Sequence, residues 1–174
     1  YQIPKDEGSN MPKFQVFRPN EIQQMDILFL PDDDGYKYAL VIVDVHSKMT
    51  DAVPIKSKTT EEILKAVKTI YKRGILKMPL QIDVDSGNEF KGSATDYFKN
   101  NQVRVRVAKP SRHRQQAVVE RRNQIIGTAL FKRMANQEAL TGETSKEWVD
   151  DLPKLIKAMN AHTKKTYKPL TQIP

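Results

Sequence analysis

The sequence of 174 residues contains no cysteine, which excludes disulfide bonds, thiolate zinc sites and cysteine nucleophiles. Its three histidines, at positions 46, 113 and 162, are too scattered to predict a histidine-based metal site. No run of 18 or more apolar residues occurs, so the sequence predicts no membrane span. Apolar residues make up 39% and charged residues 29% of the chain, a balance typical of one globular domain with a buried core.

The positive charge is concentrated in one segment. The chain has 29 Lys and Arg residues against 21 Asp and Glu residues, a net charge of +8. Nine basic residues and a single acid, Glu120, lie from Arg104 to Arg133, so this segment accounts for the whole excess. Such a block is suited to a polyanion, most simply a nucleic-acid backbone. The alternative is a solvated face that only maintains solubility.

The order of apolar and polar segments indicates the fold class. Residues 1–20 are predicted to be an N-terminal arm or linker, and residues 21–174 a single folded core. We predict strands at 22–30, 37–45, 50–55, 80–84 and 103–107, and helices at about 59–73, 93–101, 116–134 and 145–161, with a turn at 31–35. An antiparallel meander followed by α-β alternation predicts an α/β fold, with a mixed five-stranded sheet flanked by helices.

Three acids occur where solvated surface acids are not expected. Asp26 interrupts an apolar strand, Asp85 lies at the end of another strand, and Glu120 lies near the start of the basic helix. A half-buried carboxylate is costly unless it is paired or binds a metal. Three carboxylates from different elements could converge on hard cations such as Mg²⁺ or Mn²⁺, which prefer oxygen ligands.

Each acid also has an ordinary structural interpretation. Asp26 could be an edge-strand residue that faces water, and Glu120 could be a helix-surface acid paired with a neighbouring Arg. Asp44 is placed similarly to Asp26 in the second strand. Asp83 lies two residues before Asp85, on the same face of an extended strand, and could be the ligand instead.

Three segments resemble the D,D(35)E catalytic core of retroviral-type integrases: 24–28 (QMDIL), 82–90 (IDVDSGNEF) and 116–123 (QAVVERRN). The 34 residues between Asp85 and Glu120 are one fewer than the usual count. The resemblance extends from about Phe14 to Pro174, and it favours Asp85 over Asp83. Within that family the sequence looks most like the integrases of Maverick/Polinton elements and their virophage relatives, such as mavirus.

The resemblance implies a ribonuclease H-like fold and a DNA integrase. Such an enzyme performs metal-dependent 3′-end processing and strand transfer of viral or transposon DNA into host DNA. Asp26, Asp85 and Glu120 would hold two Mg²⁺ (or Mn²⁺) ions. The implied partners are DNA, as element ends and as target, and further copies of the chain in a homodimer or higher multimer. The implied location is the host cell nucleus, with packaging in the virion as an additional expectation. The chain is expected to be a core excised from a longer protein.

The residues that would contact DNA belong to the loop before Glu120 and to the helix that carries it. The predicted set is Lys109, Arg112, His113, Arg114, Gln115, Gln116, Arg121, Arg122 and Asn123. Asn123 could contact DNA or support Glu120. Gln124 and Gly127 stand where retroviral relatives usually have lysines, so that lysine role is not transferred. A ribonuclease H-type nuclease without joining activity and a non-catalytic DNA-binding module are the rival hypotheses.

Overall fold

The computed structural model describes residue 16, residues 18–108 and residues 116–166. In chain order the elements are β1 (Ile22–Asp33), β2 (Tyr36–Asp44), β3 (Thr50–Ile55), α1 (Thr60–Arg73), β4 (Gln81–Val84), a short 3₁₀ helix (Asn88–Phe90), α2 (Ser93–Asn100), β5 (Arg104–Val107), α3 (Ala117–Thr141) and α4 (Leu152–Thr166). Of the predicted arm, only residue 16 and residues 18–20 lie in the described part. No helix of the described residues is long and apolar enough to cross a membrane.

The five strands form one sheet in the order β3-β2-β1-β4-β5. The first three strands pair antiparallel, whereas β4 pairs parallel with both β1 and β5. The predicted five-stranded mixed sheet flanked by helices is therefore confirmed. Because β1 and β4 are parallel neighbours, their carboxyl ends lie at the same end of the sheet.

The sheet is covered on both faces by apolar helix surfaces. On one face, Met25 and Ile27 of β1 pack in a cluster with the buried side of α1 and with Phe98 of α2. On the other face, Leu30 of β1 packs in a cluster with the buried side chains of α3 and α4. Successive β1 residues point to opposite faces, so Gln24 and Asp26 share the face that is covered by α3.

Helix α1 has the ends that the sequence predicts. Thr59 is the N-cap, and its hydroxyl accepts a hydrogen bond from the backbone N–H of Glu62. Gly74 ends the helix in the left-handed conformation, with φ of 74°, and its N–H donates to the carbonyl oxygen of Tyr71. The helix predicted at about residues 59–73 is confirmed.

The prediction that the last helix begins near Ser145 is wrong, because α4 begins at Leu152. The Asp33 carboxylate accepts hydrogen bonds from the backbone N–H groups of Trp148 and Val149, both at 2.8 Å, and the Trp148 indole donates to the Pro31 carbonyl. These contacts hold the chain before the helix against the end of β1. Trp148 is fully buried there and packs in the core.

Two other predicted boundaries are also wrong. Helix α3 continues to Thr141 instead of ending at about Met134, and Gly142 then provides a left-handed C-cap with φ of 73°. Strand β1 continues to Asp33 after a register shift, so the turn that was expected over residues 31–35 is confined to Asp34 and Gly35.

Candidate active site

Asp26 lies in the middle of β1, on the sheet face that α3 covers. Its neighbours Met25 and Ile27 point to the opposite face and are buried there. The Asn123 side-chain amide on α3 donates a hydrogen bond to Asp26 Oδ2 at 2.8 Å. The carboxylate is therefore half-buried between the central strand and a helix, and it does not face water at a sheet edge.

The electrostatic environment of Asp26 links it to the other two predicted acids. Burial raises the pKa of Asp26 from 3.8 to about 6, and the negative charges of Asp85 and Glu120 add to the rise. Hydrogen bonds from the Ile27 backbone and from Asn123 act in the opposite direction. The fold thus brings the three predicted acids, from three separate elements, close enough for each of the other two charges to act on Asp26.

Asp85 follows the end of β4, next to β1 in the sheet. Its Oδ1 accepts a hydrogen bond from the backbone N–H of Gly87 at 2.8 Å, which closes a tight turn. A Cβ atom at position 87 would lie 2.8 Å from Asp85 Oδ1 and 2.5 Å from Glu89 Oε2. A side chain at position 87 would therefore displace the carboxylates of Asp85 and Glu89. Sequence reasoning did not identify Glu89 as part of this site.

Glu120 lies in the first turn of α3, and its side chain is exposed. The N-cap residue of α3, Gln116, makes no side-chain capping bond. Instead, Gln24 Oε1 on β1 accepts hydrogen bonds from the backbone N–H groups of Val118 at 3.1 Å and Val119 at 3.0 Å. The strand that carries Asp26 therefore also holds the first turn of the helix that carries Glu120. Sequence reasoning placed Gln24 in a motif but gave it no role.

The two alternative aspartates are engaged in structural contacts. Asp83 is buried and accepts hydrogen bonds from Arg106 Nε at 2.9 Å and Gln81 Nε2 at 2.7 Å. Asp44 is also buried and accepts from the Asn20 and Ser47 backbone N–H groups at 2.8 Å, and from the Ser47 hydroxyl. These contacts satisfy both carboxylates, so neither is suited to bind an external cation.

The donor chemistry of the three acids fits a divalent cation. In the described part of the chain, Asp26, Asp85 and Glu120 form no ion pair with a lysine or arginine. A half-buried carboxylate with two like charges nearby and no cationic partner is stabilised by a hard cation. No three acidic or histidine side chains among the described residues are close enough, as they stand, to enclose a metal ion. The three acids therefore lie near one another, but as they stand they do not form a complete coordination site.

The predicted DNA-binding residues differ in their surroundings. Lys109, Arg112, His113, Arg114 and Gln115 lie outside the described residues. Gln116 is buried and its amide atoms have no hydrogen-bond partner among the described residues, whereas Arg121 is exposed. Arg122 is half-buried and donates to the Lys48 carbonyl at 2.9 Å and to the Thr163 hydroxyl at 3.2 Å. Asn123 was predicted to contact DNA or to support Glu120, and its described hydrogen bond is to Asp26.

A shallow groove of about 520 Å³ runs along the exposed side of α3. It begins at Arg121, next to Glu120, passes Gln124 and Thr128, and ends at Lys132. Ile125 and Ala129 add apolar surface between these polar residues. The cationic ends of the groove are compatible with a phosphate backbone.

Comparisons with known proteins agree on one family. Residues 17–113 match the family model described as the integrase core domain, a match that includes Asp26 and Asp85 and ends before Glu120. The chain is 29% identical to a transposon-derived protein of Caenorhabditis elegans, over 74% of this chain and 42% of that protein. It is 27% identical to the Pro-Pol polyprotein of simian foamy virus type 3, over 75% of this chain and 11% of that protein.

Two further matches extend this result. The Gag-Pol polyprotein of walleye dermal sarcoma virus is 34% identical over 74% of this chain and 7% of that protein. The chain thus spans less than half the length of these relatives. A chain of the simian T-cell lymphotropic virus intasome, solved in complex with PP2A regulatory subunit B56 gamma, superposes with a TM-score of 0.63 at 19% identity, covering 97% of this chain and 56% of that chain. With the family match, this likeness confirms the ribonuclease H-like fold.

Proposed function

Because the chain belongs to the integrase core domain family, we propose that it is the catalytic core of a DNA integrase. The reactions would be 3′-end processing and strand transfer of viral or transposon DNA into a target duplex. The observation that carries the proposal is the half-buried Asp26 carboxylate. It is repelled by the negative charges of Asp85 and Glu120 and has no cationic partner in the described part of the chain. An arrangement of this kind is typical of a metal-dependent phosphoryl-transfer site.

Asp26, Asp85 and Glu120 would hold Mg²⁺ or Mn²⁺, with two ions as the predicted number. Bound there, the cations would activate the attacking hydroxyl and stabilise the departing 3′-oxygen of the DNA. The protein's own residues would position these groups. Asn123 orients the Asp26 carboxylate through its amide, and the turn at Gly87 orients Asp85.

The DNA backbone would follow the groove on α3 that begins beside Glu120. Arg121 and Lys132 are its exposed cations, and they supply contacts that position DNA without reading its sequence. Arg122 remains in the predicted set, although its guanidinium already has two partners within the fold. The loop residues Lys109 to Gln115 remain predicted contacts.

Several finer assignments remain proposals. The Maverick/Polinton or virophage sub-family is one, since the relatives named above are retroviral polyproteins and a nematode transposon-derived protein. Assembly into a dimer or higher multimer, and action in the host cell nucleus or packaging in the virion, are the others. The intasome likeness supports assembly on DNA as a hypothesis for this chain.

The reversal of strand transfer on a branched DNA substrate in Mn²⁺ tests the proposal on this chain. The wild-type chain should release the joined strand, and Asp85→Asn or Glu120→Gln should lower the rate by at least about 100-fold, because each removes a ligand oxygen charge. Asp96→Asn on α2 and Glu138→Gln later on α3 are matched controls that should retain the rate. Hydrolysis of the DNA without any resealed product would instead support the nuclease hypothesis. Equal rates in the site variants and their controls would contradict the catalytic assignment.

A further inference from the structure

We infer that Gln24 is a positioning residue that holds Glu120 at the site from the strand that carries Asp26. The inference deepens the proposed function and, in its consequence for metal binding, rests on it. Gln24 is only 5% exposed, and its side-chain oxygen receives both the Val118 and the Val119 N–H groups. These are two of the backbone donors that the first turn of a helix leaves without partners.

The cap is unusual because it comes from 94 residues earlier in the chain. Helix α3 begins at Ala117, and its own N-cap residue, Gln116, makes no side-chain capping bond. The start of the helix is therefore set from β1. Strand β1 is itself held on both sides, with Gln24 opposite Val43 of β2 and Asp83 of β4.

Two side-chain bridges connect β1 to α3. Gln24 binds the N–H groups of residues 118 and 119, and two residues later Asp26 accepts from Asn123. Two residues of a strand span about 6.6 Å, and the four residues from Val119 to Asn123 span about 6 Å of helix. The spacings match, so the pair of bridges restrains both the sliding and the rotation of α3 over β1. Glu120 lies between the two bridged positions of the helix.

The neighbouring Gln23 provides a matched control. It is also buried, but it points to the opposite face of the sheet, where it donates to Asn20 and to the Lys77 carbonyl and accepts from the Tyr71 hydroxyl. Gln23→Leu removes an equally buried amide and leaves the contacts of α3 intact. A purely structural role for Gln24 would make Gln23→Leu and Gln24→Leu behave alike.

The experiment uses the 174-residue chain as wild type, Gln24→Leu, Gln24→Glu and Gln23→Leu. We expect the Val118 and Val119 amides of Gln24→Leu to exchange hydrogen about tenfold faster than in the wild type, with little change in Gln23→Leu. Gln24→Glu should restore slow exchange, because it keeps an oxygen acceptor and a helix N-terminus favours negative charge. Titration with Mn²⁺ alone should show affinity weakened about tenfold or more in Gln24→Leu and retained in Gln23→Leu.

Unchanged exchange at Val118 and Val119 in Gln24→Leu would overturn the inference, and so would fast exchange in Gln24→Glu. An equal loss of Mn²⁺ affinity in Gln23→Leu would also overturn it, because the effect would then be general destabilisation. A wild-type chain whose Mn²⁺ binding does not depend on Glu120, tested with Glu120→Gln, would contradict the metal site of the proposed function. In that case the exchange measurement alone would still decide the role of Gln24.

Discussion

Replacing Asp26 by Asn should stabilise the metal-free protein at neutral pH. The Asp26 carboxylate is half-buried and is repelled by the negative charges of Asp85 and Glu120, so its ionised form is unfavourable in the folded chain. Asparagine has nearly the same shape, and its amide oxygen can still accept the hydrogen bond from Asn123. The substitution therefore removes the charge and keeps the contact.

The size and sign of the effect follow from the pKa. Asp26 has a pKa of about 6 in the folded protein against 3.8 without the fold, so the folded state binds its proton more tightly. The free energy of unfolding therefore falls as pH rises from about 4 to about 6. Above that range the ionised carboxylate costs about 3 kcal/mol at most, and partial access to solvent reduces this to about 2 kcal/mol.

Thermal unfolding in EDTA at pH 7.5 and at pH 4 measures this cost. We expect Asp26→Asn to melt about 4 to 8 °C above the wild type at pH 7.5, with most of the difference lost at pH 4. Added Mg²⁺ should then raise the melting temperature of the wild type. A cation at ten times its dissociation constant contributes about 1.4 kcal/mol to the wild type and nothing to a variant that lacks the site.

Asp83→Asn is the matched control in the neighbouring strand. Asp83 is 1% exposed and pairs with Arg106, so the same change removes the negative charge of a buried ion pair and should destabilise the fold by about 3 kcal/mol. An Asp26→Asn protein no more stable than the wild type at pH 7.5 would refute the argument from burial. A melting temperature that Mg²⁺ raises equally in both proteins would refute the assignment of Asp26 as a ligand.

Four further substitutions test other parts of the site. Gly87→Ala forces the Asp85 and Glu89 carboxylates to shift and should slow the branched-substrate reaction at least about tenfold. In Gly127→Ala the new Cβ makes an ordinary contact 3.8 Å from Leu28, and activity should persist. Asn123→Ala removes a hydrogen bond that lowers the pKa of Asp26, so NMR titration of the metal-free carboxyl should show a higher pKa, and an unchanged titration would contradict this contact. Arg122→Met should cost about 1 to 2 kcal/mol of stability in a denaturant titration because two hydrogen bonds are lost. Arg121→Met should instead weaken DNA binding and reduce the salt slope, the slope of log affinity against log salt concentration, by about one. If Arg121→Met lost stability and Arg122→Met lost DNA affinity, the roles assigned to the two arginines would be exchanged.

Local sequence signals predicted the elements whose ends are determined locally. The limits of α1 follow from Thr59 and Gly74, and β3 occupies the predicted residues Thr50–Ile55. The start of α4 could not be predicted in this way, because the N–H groups of Trp148 and Val149 bind Asp33, more than 110 residues earlier. Pro153 was the available local signal, since proline favours the first turn of a helix over its interior.

In the candidate site, too, some residues could be predicted from the sequence and others depend on contacts between distant segments. Polar residues in apolar strands and a family resemblance were enough to select Asp26, Asp85 and Glu120 from the sequence. The choice between Asp83 and Asp85 could not come from periodicity, since residues two apart in an extended segment share a face. It depends on Arg106, which reaches Asp83 from the adjacent β5. The role inferred for Gln24 was similarly hidden, because its partners are backbone groups of a distant helix.

The concentration of positive charge from Arg104 to Arg133 overstates the charge available to DNA. Arg106 pairs with Asp83, Arg133 pairs with Asp151, and Arg122 binds groups within the fold. Arg104, Arg121 and Lys132 are exposed, and the other three basic residues of the block lie outside the described part of the chain. A count of charges in the sequence assigns all nine cations to the polyanion, although each internal pair cancels one of them. Each phosphate contact contributes about 0.9 to the magnitude of the salt slope. The three exposed cations therefore support a slope of at most about 3. Any larger slope must come from residues 109–115 or from other surfaces.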